Sequence, residues 1–215
     1  MVTASQRTAR LALTVGTSLA ACLVPALAGA AELRTDDGVG DVWAEVYDDT
    51  GTFEGWVKAG TVVNGDVIST KARHASRRIV FTTRYALLVR GAGENRFKTQ
   101  QQMRFPDGST AAVVVDTSNG WTGASYVYDA DTGNGIPCAG VRHEIDYDAD
   151  TVRVSFPRAC VDRPRWLRYV GLAYAWSGSD TETGDDDHNY LDNALNAGHK
   201  QGTGNSNTSP RIYAG

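Results

Sequence analysis

The sequence has few of the residues that mark fibrous, coiled or disordered chains. Its 215 residues include 6 Pro and 2 Met, and its 23 Gly follow no fixed repeat. Hydrophobic residues make up 41% and charged residues 21%, which excludes collagen-like, coiled-coil and fully disordered proteins. A surplus of positive charge is also lacking, because 21 Lys and Arg face 25 Asp and Glu. This balance argues against nucleic acid as a partner.

Short catalytic motifs are lacking as well. The sequence has no Gly-x-Ser-x-Gly, no His-Glu-x-x-His, no P-loop and no Gly-x-Gly-x-x-Gly that opens a helix. Its four histidines include His143, which falls on the apolar face of a predicted strand, where a hydrogen-bonded core residue is the commoner case. A Ser-His-Asp triad stays open, because triads are defined by geometry. These observations favour a protein without catalytic activity.

Residues 1–30 have the pattern of a secretory signal peptide. Arg7 and Arg10 precede a short apolar run, and small residues at 28–30 suit a peptidase. We expect cleavage after Ala30, and the mature chain has no run long enough to cross a membrane. An alternative is a lipoprotein anchored at Cys22, since the residues before it resemble a lipobox. The sequence therefore predicts export.

Only two of the three cysteines follow the predicted cleavage site. Cys138 and Cys160 flank one predicted hairpin, and no Cys-x-x-Cys pair occurs. An exported chain with an even, small number of cysteines favours one disulfide, and two free thiols are the alternative. A thiol redox centre or a zinc knuckle has no support.

Period-2 alternation between turn residues dominates residues 31–177. It predicts an all-β domain, an antiparallel β-sandwich of Ig-like or jelly-roll-like type. In one hairpin, a two-residue turn at 149–150 would place Ile145 opposite Val154. The predicted strands cover 41–47, 67–74, 79–87, 97–105, 111–116, 121–128, 141–147, 152–156 and 166–176.

Residues 178–215 differ in composition from the rest. Three consecutive aspartates at 185–187 precede apolar residues at 190, 191, 194 and 195. This spacing predicts a short helix over 186–197, within an acidic tail rich in Gly, Asn and Ser that we expect to be flexible.

Carboxylates are concentrated in one glycine-containing loop. Asp36, Asp37 and Asp41 surround two glycines, which could bring backbone carbonyls close to an ion. Calcium prefers several oxygen ligands, so these three residues form a candidate calcium site. The alternative is that they are solvated turn residues, for which Asp is favoured.

Five Trp and nine Tyr could supply flat rings for a ligand. Trp43, Trp56 and Trp121 lie near predicted turns, so they are the candidates for exposure and ligand binding. The aromatic residues of the strand at 166–176 alternate with apolar residues and are better explained as core.

Three features together carry a resemblance. They are Asp-Asp-Gly-Val-Gly-Asp-Val at 36–42, the hairpin from Asp66 to Tyr85, and the segment from Pro137-Cys138 to Trp166. The chain resembles uncharacterised secreted β-sandwich proteins of actinobacteria, and its layout is loosely similar to carbohydrate-binding modules. The resemblance implies a secreted binding or accessory protein of the cell envelope, with a glycan or a protein as ligand. The alternative is a secreted hydrolase whose triad or carboxylate pair is not visible in the sequence.

Overall fold

A computed structural model describes residues 31–59, 64–90, 96–177, 188–195 and 208–215. The predicted signal peptide and Cys22 lie outside the described residues. None of the described segments forms a helix of the length and hydrophobicity needed to cross a membrane. The strands are β1 (Ala31–Asp36), β2 (Trp43–Tyr47), β3 (Phe53–Lys58), β4 (Val67–His74), β5 (Arg78–Tyr85), β6 (Arg96–Arg104), β7 (Thr110–Asp116), β8 (Ala124–Tyr128), β9 (Arg142–Asp146), β10 (Thr151–Pro157), β11 (Trp166–Ser177), β12 (His188–Asn193) and β13 (Ile212–Tyr213).

The strands form two antiparallel sheets, which confirms the predicted β-sandwich. The first sheet has the order β1-β4-β5-β10-β9. The second has the order β3-β2-β12-β11-β6-β7-β8, and β13 pairs with the start of β11. The chain therefore changes sheets between β1 and β2, and again between β3 and β4.

The core fills the space between the sheets. Its largest buried side chains are aromatic, and they come from both sheets. Phe81 of the first sheet meets Tyr169 of the second edge to face, with ring centroids 5.4 Å apart. Burying such rings is the main favourable term for folding, at roughly 25 cal/mol per Å² of apolar surface.

The structure corrects the predicted helix at 186–197. Its described part contains β12, which pairs with β11 on one side and with β2 on the other. The apolar spacing that suggested a helix arises because Leu191 and Leu195 pack against a second cluster, which includes Val170 and Leu172. Sheet pairing with two neighbours outweighs the weak helix propensity of this segment. Residues 188–195 and 208–215 thus belong to the sandwich, while the remainder of the predicted tail lies outside the described residues.

The predicted disulfide is confirmed. Cys138 and Cys160 are bonded, with their Cα atoms 5.3 Å apart. Cys160 lies in a 3₁₀ turn, Arg158–Val161, that follows β10. The bond therefore ties the segment before β9 to the segment after β10.

Candidate functional site

Four aspartates meet where the chain crosses from the first sheet to the second, and we call them the acidic cluster: Asp37, Asp41, Asp66 and Asp192. Asp37 and Asp41 belong to the loop between β1 and β2, Asp66 immediately precedes β4, and Asp192 lies in β12. Because β12 pairs with β2 and β1 pairs with β4, the sheet topology brings these four distant positions together.

We call residues 37–42, between β1 and β2, the crossing loop, and its conformation positions the Asp37 and Asp41 carboxylates. The Asp37 amide donates to the Ile68 carbonyl at 3.0 Å, which continues the pairing of β1 with β4. A Cβ atom at Gly38 would lie 2.8 Å from an Asp41 carboxylate oxygen, so a residue without a side chain is needed there. Gly40 has φ of 73°, a left-handed conformation that favours glycine. The two glycines thus allow Asp41 to fold back toward Asp37.

The cluster brings three carboxylates within ligand distance of one another. Asp37, Asp41 and Asp192 each offer one oxygen, and these oxygens all lie within 4.8 Å of each other. Asp192 is buried, and its Oδ2 accepts a hydrogen bond from the Val67 amide at 2.5 Å. Asp36, the third predicted ligand, is not brought to this group. Its exposed carboxylate pairs with Arg34 at 2.7 Å.

Asp66 is the fourth carboxylate and has no exposed surface. Its Oδ2 accepts a hydrogen bond from the Gly40 amide at 2.7 Å, so its carboxyl group faces the crossing loop. Its Oδ1 is buried and has no hydrogen-bond donor. Sequence reasoning missed both Asp66 and Asp192, because only the sheet pairing places them beside the loop.

The electrostatics of the cluster are unfavourable for four charged groups. Burial, helped by the nearby Asp41 carboxylate, raises the pKa of Asp37 to about 7. Burial also raises the pKa of Asp66 to about 6 and that of Asp192 well above its usual range. In the described part of the chain, no Lys or Arg forms an ion pair with any of the four. A buried cluster of carboxylates without a cationic partner must take up protons or be neutralised by a cation.

A second candidate site is an exposed aromatic surface on the hairpin of β2 and β3. Tyr47 and Phe53 are 43% and 47% exposed, and their ring centroids are 5.7 Å apart. Phe53 also meets Trp56 edge to face at 6.0 Å. Glu45 pairs with Trp56 across the two strands, so both lie on this side of the hairpin. We call this surface the aromatic hairpin face.

Two of the predicted aromatic residues belong to the aromatic hairpin face. Trp43 pairs with Lys58, whose ammonium lies 5.8 Å from the Trp43 ring centroid. Trp56 packs against the second apolar cluster, which contains Val170, Leu172 and Leu191. Trp43 and Trp56 are both partly buried, so the rings most open to a ligand are those of Tyr47 and Phe53, which the sequence analysis did not single out.

The third predicted aromatic residue lies elsewhere. Trp121 belongs to the loop between β7 and β8 and is 48% exposed. The Arg90 guanidinium stacks over its ring at 4.5 Å, and the Tyr147 hydroxyl donates to its carbonyl at 2.6 Å. These contacts hold Trp121 beside β9, so it is not part of the aromatic hairpin face.

Two histidines are held in place by hydrogen bonds. His74 is fully buried, and its Nδ1 lies 3.0 Å from the Ile212 carbonyl. His143 is partly buried, with Nδ1 2.9 Å from the Ser125 hydroxyl and Nε2 2.8 Å from the Thr122 carbonyl. Because the Thr122 carbonyl can only accept, Nε2 of the neutral His143 ring donates to it, and Nδ1 accepts from the Ser125 hydroxyl.

Comparison of the chain with protein families, with characterised proteins and with solved structures finds no match. The residues of the site therefore carry the functional argument alone.

Proposed function

We propose that the protein is a secreted, non-catalytic binding protein of the cell envelope, and that its ligand is a glycan. The aromatic hairpin face carries this proposal. Two rings that are nearly half exposed lie side by side on one strand pair, although a folded protein gains stability by burying such rings.

The chemistry of this face suits a sugar. Rings such as those of Tyr47 and Phe53 offer flat apolar surface to the C–H faces of a sugar, and neighbouring polar groups can bond its hydroxyls. Glu45 and Lys58 supply such groups from the same side of the hairpin. A protein ligand would use the same rings, since Tyr and Trp are also enriched in protein interfaces.

Hydrogen bonds fix the turn of the hairpin without any ligand. One Asp48 carboxylate oxygen accepts hydrogen bonds from the Thr50 amide, the Thr50 hydroxyl and the Thr52 amide. These bonds close the turn between β2 and β3. A preformed surface loses little conformational entropy on binding, which favours affinity.

Export is the second part of the proposal. The disulfide between Cys138 and Cys160 is typical of oxidising compartments, which supports a protein that works outside the cytoplasm. The signal-peptide pattern of residues 1–30 points the same way.

A glycan array tests the ligand class. We expect the protein to bind one class of glycan, and we expect Tyr47→Ala and Phe53→Ala each to weaken that binding by roughly tenfold or more, as loss of a central aromatic contact does. Trp121→Ala is the matched control, because it removes an equally exposed ring from a different surface and should leave binding unchanged.

Two outcomes would change the conclusion. If the array is blank, and envelope material yields a protein that the Phe53→Ala variant no longer captures, the ligand is a protein. If the Tyr47 and Phe53 variants bind like the unmodified chain, the aromatic hairpin face is not the binding surface.

A secreted hydrolase is the second candidate, and the contact between Ser125 and His143 favours it. A serine hydroxyl that donates to a histidine, whose other nitrogen is held by a carbonyl, is the arrangement that activates a nucleophile. A fluorophosphonate probe tests this candidate. Labelling of the intact protein that disappears in Ser125→Ala would establish a reactive serine, and lack of labelling would leave the pair as a structural contact.

A further inference from the structure

We propose that Asp37, Asp41, Asp66 and Asp192 bind one divalent cation, and that the cation is Ca²⁺. This site shares no residue with the aromatic hairpin face, so the inference goes beyond the proposed function and does not depend on it. Its first basis is geometric, because three of the carboxylates already place oxygens within 4.8 Å of one another. Opposite ligands of a calcium ion are about 4.6–5.2 Å apart, so these oxygens fit around one ion.

The second basis is a set of buried oxygens without hydrogen-bond donors. Asp66 Oδ1 is such an atom on a residue with no exposed surface, and its carboxyl group is held toward the crossing loop by the Gly40 amide. Asp37 Oδ2 and Asp41 Oδ1 are buried and lack donors as well. A buried polar atom without a partner is destabilising, and more so if it is charged. A cation coordinated by these atoms would remove that destabilisation at all three positions.

The donor set selects the type of cation. The acidic cluster offers carboxylate oxygens and contains no histidine or cysteine, which disfavours zinc and copper. Magnesium demands a near-ideal octahedron and usually retains several waters, whereas calcium accepts six to eight oxygens in irregular arrangements. The four carboxylates come from the crossing loop, from the residue before β4 and from β12, and such an irregular set suits the less demanding ion.

The cation would have a defined role in the fold. Asp66 immediately precedes β4 of the first sheet, and Asp192 belongs to β12 of the second sheet. The crossing loop with Asp37 and Asp41 connects the two sheets. An ion held by all three elements would therefore clamp the sandwich at this end, and it would bind only the folded state.

Thermal unfolding with Ca²⁺, with Mg²⁺ and with a chelator tests the proposal. Ca²⁺ at a hundredfold excess over its Kd should raise Tm by about 5–10 °C for a domain of this length, and the chelator should reverse the change. Titration calorimetry should give one Ca²⁺ per chain. Mg²⁺ at the same concentration should produce a smaller shift.

Asn variants localise the effect. Asp41→Asn and Asp192→Asn should abolish the Ca²⁺-dependent rise in Tm. In chelator they should unfold at or above the Tm of the unmodified chain, because an amide has no charge that must be protonated or neutralised inside the crowded cluster. Asp36→Asn is the control: its carboxylate adjoins Asp37 in sequence but pairs with Arg34, so the response to Ca²⁺ should persist.

Three results would overturn the proposal. The first is a Tm that millimolar Ca²⁺ does not change in the unmodified chain. The second is loss of the response in Asp36→Asn as complete as in Asp41→Asn, which would assign the ion to the general negative surface. A larger shift with Mg²⁺ than with Ca²⁺ would overturn the choice of ion.

Discussion

His74 shows how one buried side chain can make the stability of the sandwich depend on pH. Burial lowers the pKa of His74 below its usual value, and the nearby Arg158 guanidinium lowers it further. Its Nδ1 is used by the Ile212 carbonyl, whereas its Nε2 is buried without a partner. A proton added at Nε2 would therefore be placed where no acceptor compensates for the loss of water.

The pH dependence follows from that shift. Below about pH 6.5 His74 binds a proton in the unfolded chain but stays neutral in the folded chain. Protonation of His74 therefore lowers the free energy of unfolding as pH falls below 6.5 and has no effect above it. The slope from one group reaches at most about 1.4 kcal/mol per pH unit. Denaturant unfolding of the unmodified chain and of His74→Gln, measured from pH 8 to pH 5, isolates the effect, because all other titrating groups are shared. Parallel curves for the two proteins would contradict it.

The acidic cluster marks the limit of sequence reasoning at this scale. Asp37 and Asp41 could be paired from their spacing around two glycines, because a short loop keeps them close. Asp36 was grouped with them, but it is the last residue of β1, and its side chain pairs with Arg34 instead. Asp66 and Asp192 lie beside them because of the strand pairing in the two sheets, and no local sequence pattern predicts that pairing.

Among the elements, the hairpin of β9 and β10 shows what alternation predicts and what it does not. The strands and their buried faces were predicted, but Ile145 lies opposite Val152 rather than Val154. The Asp146 carboxylate accepts hydrogen bonds from the Asp148 and Ala149 amides, and this bonding lengthens the turn. A shift of two residues keeps every side chain on its face, so the predicted core survives the wrong register.

The disulfide stabilises this hairpin in particular. Cys138 and Cys160 are 22 positions apart, and closing a loop of that length in the unfolded chain is worth about 3 kcal/mol. We expect the double variant Cys138→Ser and Cys160→Ser to unfold at a correspondingly lower denaturant concentration. Reduction of the unmodified chain should give the same loss, and the secreted protein, which lacks Cys22 after cleavage at Ala30, should show no free thiol when it is unfolded without reduction. Two titratable thiols, or equal stability of variant and parent, would refute the expectation.

Weak patterning explains why the sequence did not predict two of the strands, β3 and β13. β3 is an edge strand that contains Gly55 and has mostly exposed side chains, so it shows no alternation. β13 has two residues and forms only because β11 offers it a partner. The longer strands β4, β5 and β6 alternate because one side of each faces the core, and they were predicted for that reason.

For the whole molecule, the position of β1 bears on export. Ala31 pairs with His74 of β4, so cleavage after Ala30 would keep this pairing of the first sheet. We expect secreted material to begin within a residue or two of Ala31, since the small residues at 28–30 suit a peptidase. N-terminal sequencing of the secreted protein tests this. A blocked, lipid-modified Cys22 would show an anchored lipoprotein instead.

The pairing of β2 with β12 has a consequence for the speed of folding. Ala44 pairs with Tyr190, and the first sheet likewise depends on the pairing of β5 with the distant β10. Chains dominated by such non-local pairings fold in milliseconds to seconds, because loop closure must precede the contacts that compensate for it. The edge of β2 that faces away from β3 thus stays unpaired until β12, in the last third of the chain, has been synthesised. Until then the emerging polypeptide is a target for proteases and chaperones, and refolding after dilution from denaturant should be slow and prone to aggregation at high protein concentration.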